Sequence, residues 1–333
     1  MKIEVDKERV IIITGAAGMI GSCIVRCLND LGHTNLLLVD NLDIGFKWKN
    51  ILGKSFIKLI GISEVFDWIE SNQNDVEAII HMGACSDTLE KRGDYLMDNN
   101  YHYTIKLAEF ALERSVRFIY ASSAATYGDG SKGFSDDESQ LKDLEPLNLY
   151  GFSKHLFDLW ALNEGVLDTV VGLKYFNVFG PNEAHKGRMA SMIFKMFPIV
   201  QEKGVLELFK SSDPAFSDGG QQRDFIYVKD AARITCDFLS TRGGGIFNVG
   251  SGTPTTWNYL ADQVFKACGI PTKIHYIPMP EDLVKQYQNY TCAEVGKLAS
   301  YFNRQAKEPL CQFSTSEAVF DYVQEYLAKD KRW

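Results

Sequence analysis

The sequence predicts an α/β protein: a doubly wound parallel sheet of the Rossmann type, with a smaller α/β domain for substrate. Three observations predict it. Short β-branched runs alternate with helical stretches from Arg9 to Ser122. The turn between the first strand and the first helix is rich in glycine. No internal repeat or low-complexity linker breaks the alternation.

The elements follow in order. Residues 9–14 (RVIIIT) read as a strand buried on both faces. After the glycine turn, residues 22–31 read as a helix that stops at Gly32. Residues 36–40 (LLLVD), 76–82 (VEAIIHM) and 117–122 (RFIYAS) read as further buried strands, and 95–115 has helical periodicity. The second half is less regular. Residues 170–179 are strand-like up to Gly180-Pro181, 190–203 look helical, and 211–222 (SSDPAFSDGGQQ) form a loop by composition. Residues 246–250 resemble a strand and 256–268 a helix. The chain is expected back in the sheet near 224–239, with 181–222 over the ligand crevice.

Composition limits the function. At 333 residues, with 45% hydrophobic and 23% charged residues, the chain can bury a large core. Its net charge of −8 argues against broad nucleic-acid binding. The polar start, Met1 to Arg9, lacks the apolar stretch of a secretion signal, and no apolar run approaches the ~18 residues that span a bilayer. The seven cysteines are scattered and contain no CxxC pair, so reduced buried thiols in a cytoplasmic protein, and no metal, are expected.

Two motifs carry chemistry. Gly15, Gly18 and Gly21 are spaced GxxGxxG between a strand and a helix, where a pyrophosphate meets close backbone and a helix N-terminus. Asp40, 19 residues past Gly21, ends the second strand, where the adenosine ribose of a dinucleotide sits. Its carboxylate favours the free 2′-hydroxyl of NAD, whereas Lys47 is able to neutralise the 2′-phosphate of NADP, so both cofactors stay open. The second motif is Tyr150-Gly-Phe-Ser-Lys154, which puts Tyr and Lys on one helix face. A nearby ammonium favours the phenolate and brings Tyr150 into range for acid–base work. The run 121–128 (ASSAATYG) supplies Ser123 at the carboxyl edge of the sheet, placed to orient a reacting hydroxyl.

Together these features resemble the extended short-chain dehydrogenase/reductase family, which includes nucleotide-sugar epimerases and dehydratases. The likeness runs from about Val10 to about Tyr301. It is carried by residues 81–88 (HMGACSDT), 95–101 (YLMDNNY), 121–128, 146–154 (PLNLYGFSK), 175–181 (YFNVFGP) and 185–191 (HKGRMAS). The GACS and HKG segments are narrower than the family-wide motifs, and point to members that invert C6 of an ADP-linked heptose for lipopolysaccharide core synthesis. The resemblance implies tightly held NADP, a 6-keto sugar intermediate, an ADP-heptose substrate and a homo-oligomer, a pentamer. It implies two proton-transfer groups, Tyr150 and Lys186. A lysine that accepts protons at neutral pH must lose several pKa units, and His185 and Arg188 are close in sequence for that.

The resemblance assigns further contacts residue by residue. Met19, Ile20, Asp40, Asn41, Lys47, Met82, Gly83, Ala84, Cys85, Ser86, Asn99 and Val178, with Lys154 and Lys186, match cofactor contacts. Asn177, Arg188, Lys195, Phe209, Lys210, Ser211, Ser212, Arg223 and Tyr287 match substrate contacts. Arg223 has its own reason, since a planar guanidinium binds diphosphate oxygens in pairs. Met19, Arg188 and Lys195 differ in type from the family's residues, 48–63 align poorly, and loop 211–222 is longer. The dinucleotide-binding domain is expected at 1–176 with about 223–250, the substrate domain at about 177–222 with 251–310, and a C-terminal helix at 311–333. Two rivals share most of the motifs. A UDP-sugar 4-epimerase would not need Lys186, and a non-catalytic dinucleotide sensor would tolerate loss of Tyr150. A dehydratase would want an acid–base pair beside Ser123, where Ala124-Ala125 offers none.

Overall fold

The computed structural model describes residues 4–284, 287–303 and 309–333. The first three residues of the polar start, and parts of the expected 251–310 stretch, lie outside these. Among the described residues, seven strands form one parallel sheet: β1 (Val10–Thr14), β2 (Leu36–Val39), β3 (Lys58–Ile60), β4 (Val76–His81), β5 (Arg117–Ser123), β6 (Val171–Tyr175) and, later in the chain, Gly245–Val249. That last strand lies beside β6, and the order across the sheet runs on through β5, β4, β1, β2 and β3. The order reverses between β1 and β4, the switch point where doubly wound sheets bind ligands.

Alternation in β1 divides two cores. Ile11 and Ile13 pack in one hydrophobic cluster with Val25 and Leu28; Val10 and Ile12 pack in the other with Leu107 and Phe157. This is the strand period of two in a sheet covered on both faces. The first helix, Met19–Asp30, begins directly at Gly18, three residues before the expected start, so its free N–H groups face the glycine turn.

The second half departs from expectation in instructive ways. The strand-like run 170–179 is two strands in two sheets, β6 and then β7 (Asn177–Phe179), with a break at Phe176. The expected return to the main sheet near 224 does not occur there. Instead β9 (Gln222–Tyr227), the strand after β8 (Leu206–Phe209), joins a separate three-stranded sheet with β7 and with the later strand Pro254–Thr256. The helix Val228–Asp237 then packs on Met19–Asp30, and the main sheet is rejoined only at Gly245. Hydropathy does not distinguish these sheets, because β9 is buried almost throughout, like the strands of the main sheet. β8 pairs in parallel with Ile274–Ile277 in a two-stranded sheet. The C-terminal segment forms the helix Thr315–Asp321, opened by a capping box from Ser314 and Glu317, and continues through Tyr322–Leu327.

Candidate active site

A cleft of about 770 Å3 opens at the carboxyl ends of β1, β4 and β5, at the switch point. Its floor is built by close backbone approach. Gly15 has φ +64°, and a Cβ there would stand 2.7 Å from the Gly83 nitrogen. Below the two glycines, Thr14 Oγ1 lies 2.6 Å from His81 Nδ1 and accepts the Gly83 N–H at 3.0 Å; His81 Nε2 lies 2.8 Å from Thr104 Oγ1. This buried chain ties the glycine turn to the 82–86 loop. Burial holds His81 neutral, at about 3.

Asp40 sits at the end of β2, in the ribose position. One carboxylate oxygen accepts the Ala17 N–H at 2.8 Å, and the other pairs with Lys47 Nζ at 2.6 Å. Lys47 therefore neutralises Asp40 directly. The tight turn, the helix start at Gly18 and the paired Asp40 fit a dinucleotide, with its pyrophosphate over residues 15–19 and its adenosine ribose near Asp40.

Tyr150 and Lys154 lie on the helix Leu149–Asn163, whose N-terminus Asn148 caps by accepting the Gly151 N–H at 2.8 Å. Gly151 lets this helix approach the turn after β5, since a Cβ there would meet the Ala125 oxygen at 2.7 Å. That approach brings Tyr150 beside Ser123 in the cleft. Burial raises the Tyr150 phenol and the nearby Ser123 hydroxyl lowers it, with a net rise rather than the lowering expected from an ammonium. Burial takes Lys154 down to about 8, against the pull of Asp158 one turn along the helix. Asn99 and Asn100 lie in a π turn, Met97–His102. Asn99 lines the cleft, while Asn100 grips Cys85 N–H and O and donates to Ser153 Oγ at 3.0 Å.

All the residues matched to catalysis or cofactor line this cleft: Gly15, Gly18 to Gly21, Asp40, Asn41, Lys47, Met82 to Ser86, Asn99, Ser123, Tyr150, Lys154, Val178 and Lys186. Lys186 Nζ lies 4.0 Å from Met19 Sδ. Its pKa is lowered, first by burial and then by Lys195, with Glu183 opposing. His185 contributes no charge, because burial, with Lys47 and Lys186, holds it at about 4. Arg188 turns away to pair with Asp87 at 2.5 Å. The two helpers expected from proximity in sequence are thus replaced by burial and Lys195.

The substrate matches divide. Arg188 lines the cleft; Asn177, Lys195, Phe209, Lys210, Ser211, Ser212, Arg223 and Tyr287 do not. Lys195 instead donates to the Arg188 carbonyl at 2.8 Å. Ser211 orders its own loop through Asp213 and Asp218. Arg223 lies on β9 under two rings, 5.1 Å from Tyr287 and 5.9 Å from Trp257, while Trp257 Nε1 donates to the Tyr287 hydroxyl at 2.8 Å. This second group is tied to the catalytic turn by Gln288, whose amide donates to the Gly128 carbonyl at 2.6 Å. Trp257, Asn100, Asp87 and Tyr95 are site neighbours that sequence reasoning missed. The segments 81–88 and 95–101 contain all of these but Trp257, which has no local signal.

The fold and the cleft define a nicotinamide-dinucleotide enzyme. The chain belongs to the NAD dependent epimerase/dehydratase family, whose model matches residues 11–250. Two relatives named ADP-L-glycero-D-manno-heptose-6-epimerase are similar over nearly their whole length. That of Nitratidesulfovibrio vulgaris (Hildenborough) is 47% identical over 320 residues, 95% of this chain and 98% of its own. That of Fusobacterium nucleatum is 43% identical over 332 residues, 96% of this chain and 98% of its own. The crystal structure of the Helicobacter pylori ADP-L-glycero-D-manno-heptose-6-epimerase superposes with a TM-score of 0.80 at 25% identity, covering 98% of this chain and 100% of that one. UDP-glucose 4-epimerase from Thermotoga maritima shares the fold, with a TM-score of 0.78 at 23% identity over 96% of this chain and 99% of that one. Among the described residues no helix is long and apolar enough to cross a membrane, no cluster could hold a metal ion, and all seven cysteines are free.

Proposed function

We propose that the chain inverts C6 of the heptose in ADP-D-glycero-D-manno-heptose, giving ADP-L-glycero-D-manno-heptose for lipopolysaccharide core synthesis in the cytoplasm. One observation carries the reading: Tyr150, on a long α-helix, and Lys186, on the short 3-10 turn Ala184–Met189 kinked at Gly187, open into the same cleft. Inversion needs hydride to leave one face of C6 and return to the other, so the sugar must turn, and its hydroxyl then meets a different side of the site. Two proton-transfer groups on different supports suit that requirement. The names of the relatives at 43–47% identity support the sugar.

A nicotinamide held over the cleft would supply the hydride acceptor and donor for C6. Ser123 and Tyr150 hold the C6 hydroxyl, and Tyr150 takes its proton in one orientation of the sugar. Lys154 holds the nicotinamide ribose and keeps positive charge beside the phenol. Lys186, made less basic by burial, exchanges the proton in the other orientation. Arg223 holds diphosphate oxygens, with Tyr287 beside it. The substrate group extends over Asn177, Arg188, Lys195 and residues 209–212.

We assign the cofactor as NADP. The support is the Lys47–Asp40 pair at 2.6 Å, which cancels the charge that would repel a 2′-phosphate. Denaturing the purified protein should release a dinucleotide carrying that phosphate; release of NAD alone would overturn the assignment. A homo-oligomer, a pentamer by the resemblance, belongs to the same proposal and is checked by sedimentation. So does the division into a cofactor domain, 1–176 with about 223–250, and a substrate domain, about 177–222 with 251–310.

The test of function is incubation of the purified protein with ADP-D-glycero-D-manno-heptose and, separately, UDP-glucose, with products read by NMR. The expected product is the L-glycero epimer, with UDP-glucose untouched. Conversion of UDP-glucose to UDP-galactose with ADP-heptose unchanged would replace this reading by the 4-epimerase one.

A further inference from the structure

A buried carboxylate closes the loop that carries Lys186. Glu183 is 1% exposed. Its Oε2 accepts the Ser191 backbone N–H at 2.6 Å; its Oε1 accepts the Ser191 hydroxyl at 2.7 Å and the Tyr322 hydroxyl at 2.9 Å. Ser191 in turn caps the helix Met192–Lys203 by accepting the Phe194 N–H at 3.3 Å. Residues 184–190 are therefore an arch whose two feet are joined by one side chain.

The first foot is also pinned to the cofactor turn. Asn182 has φ +71°, rare for a residue with a side chain. Its amide donates to Ser22 Oγ at 2.9 Å, and its carbonyl accepts from Asn50 at 3.0 Å; Asn50 also donates to the Ala17 carbonyl at 2.9 Å. Inside the arch, the Lys186 N–H closes a turn on the Glu183 carbonyl at 2.9 Å, and Gly187 bends the chain at φ +52°. Glu183 forms no ion pair with a cation among the described residues. A buried carboxylate held only by neutral hydrogen-bond donors is a costly arrangement to keep.

We propose that Glu183 is the positioning residue for Lys186: by clasping Ser191 it closes the arch and fixes where the lysine enters the cleft. The inference rests on Lys186 being a proton-transfer group. A purely structural Glu183, one that merely docks the C-terminal helix through Tyr322, would affect both directions of the reaction alike.

Single-turnover reduction of the bound cofactor, started from each ADP-heptose epimer in turn, separates these. Lys186→Met first identifies the Lys186-dependent direction as the one it slows. Glu183→Gln keeps an acceptor for the Ser191 N–H but sets an NH2 donor where a carboxylate oxygen accepts the Ser191 and Tyr322 hydroxyls, and should slow that same direction about 100-fold, as a displacement near 1 Å does, while leaving the other direction unchanged. Ser191→Ala keeps the backbone contact to Glu183 but removes the hydroxyl contact together with the Phe194 cap, and should slow it about tenfold, which serves if Glu183→Gln does not fold. Amide hydrogen exchange across 184–190 should quicken in both variants, with β1 and β4 unchanged. Equal slowing in both directions, or no slowing while Lys186→Met remains asymmetric, overturns the inference. Loss of asymmetry in Lys186→Met itself overturns the reading of Lys186, and the inference with it.

Discussion

Tyr150 and Lys186 reach one cleft from unlike supports. Tyr150 stands in the first turn of a capped helix packed on β5, held by its own cap at Asn148 and by the close approach of Gly151 to the turn after Ser123. Lys186 stands on an arch held by contacts far away in the chain, from Ser22 and Asn50 to Tyr322. The difference teaches where precision comes from in each half of the site. On the Tyr150 side it comes from secondary structure, and on the Lys186 side from buried polar side chains.

The sharpest attempt to break this comparison is Tyr150→Phe. It removes one hydroxyl from a rigid support and should lower turnover about 1,000-fold without changing the fold, read by steady-state rates beside circular dichroism. Next is Arg223→Ala on the substrate side. Loss of a charged hydrogen-bond donor, about 2 kcal/mol, should raise KM about 30-fold with a smaller effect on kcat.

The pH dependence sharpens the rigid half. Lys154, lowered by burial to about 8, is charged below that value and loses its charge above it. The kcat/KM profile should therefore fall as pH rises through about 8, and an alkaline limb near the ordinary lysine value of 10.5 would contradict this. A separate expected effect concerns stability. Folded His81 titrates at about 3, whereas unfolded histidine titrates near 6.5. Between these values the unfolded chain binds the extra proton, so stability should drop as pH falls from 6.5 towards 3. His81→Asn should flatten that drop in denaturant titrations at a series of pH values.

The same contrast governs how much was legible in the sequence. Runs such as 9–14 and 36–40 announce buried strands because no water-facing residue interrupts them. The GxxGxxG turn and the Tyr150–Lys154 spacing are local, and each segment lands in the cleft. What was not legible depends on long-range closure. The run 170–179 reads as one strand, yet divides at Phe176 between two sheets. Arg188 sits beside Lys186 in sequence but pairs with Asp87 across the cleft, while Lys195 and burial lower the lysine. Trp257 joins Arg223 and Tyr287 with no motif to mark it. Glu183 is one of many acidic residues until the fold buries it.

The central claim is that two separately supported groups serve one sugar carbon. It is tested most directly by product analysis of Lys186→Met with ADP-D-glycero-D-manno-heptose. The expected result is no L-glycero epimer on the timescale of wild-type conversion, while the bound cofactor is still reduced by one of the two epimers through Tyr150. Epimerisation by the variant at the wild-type rate would contradict it.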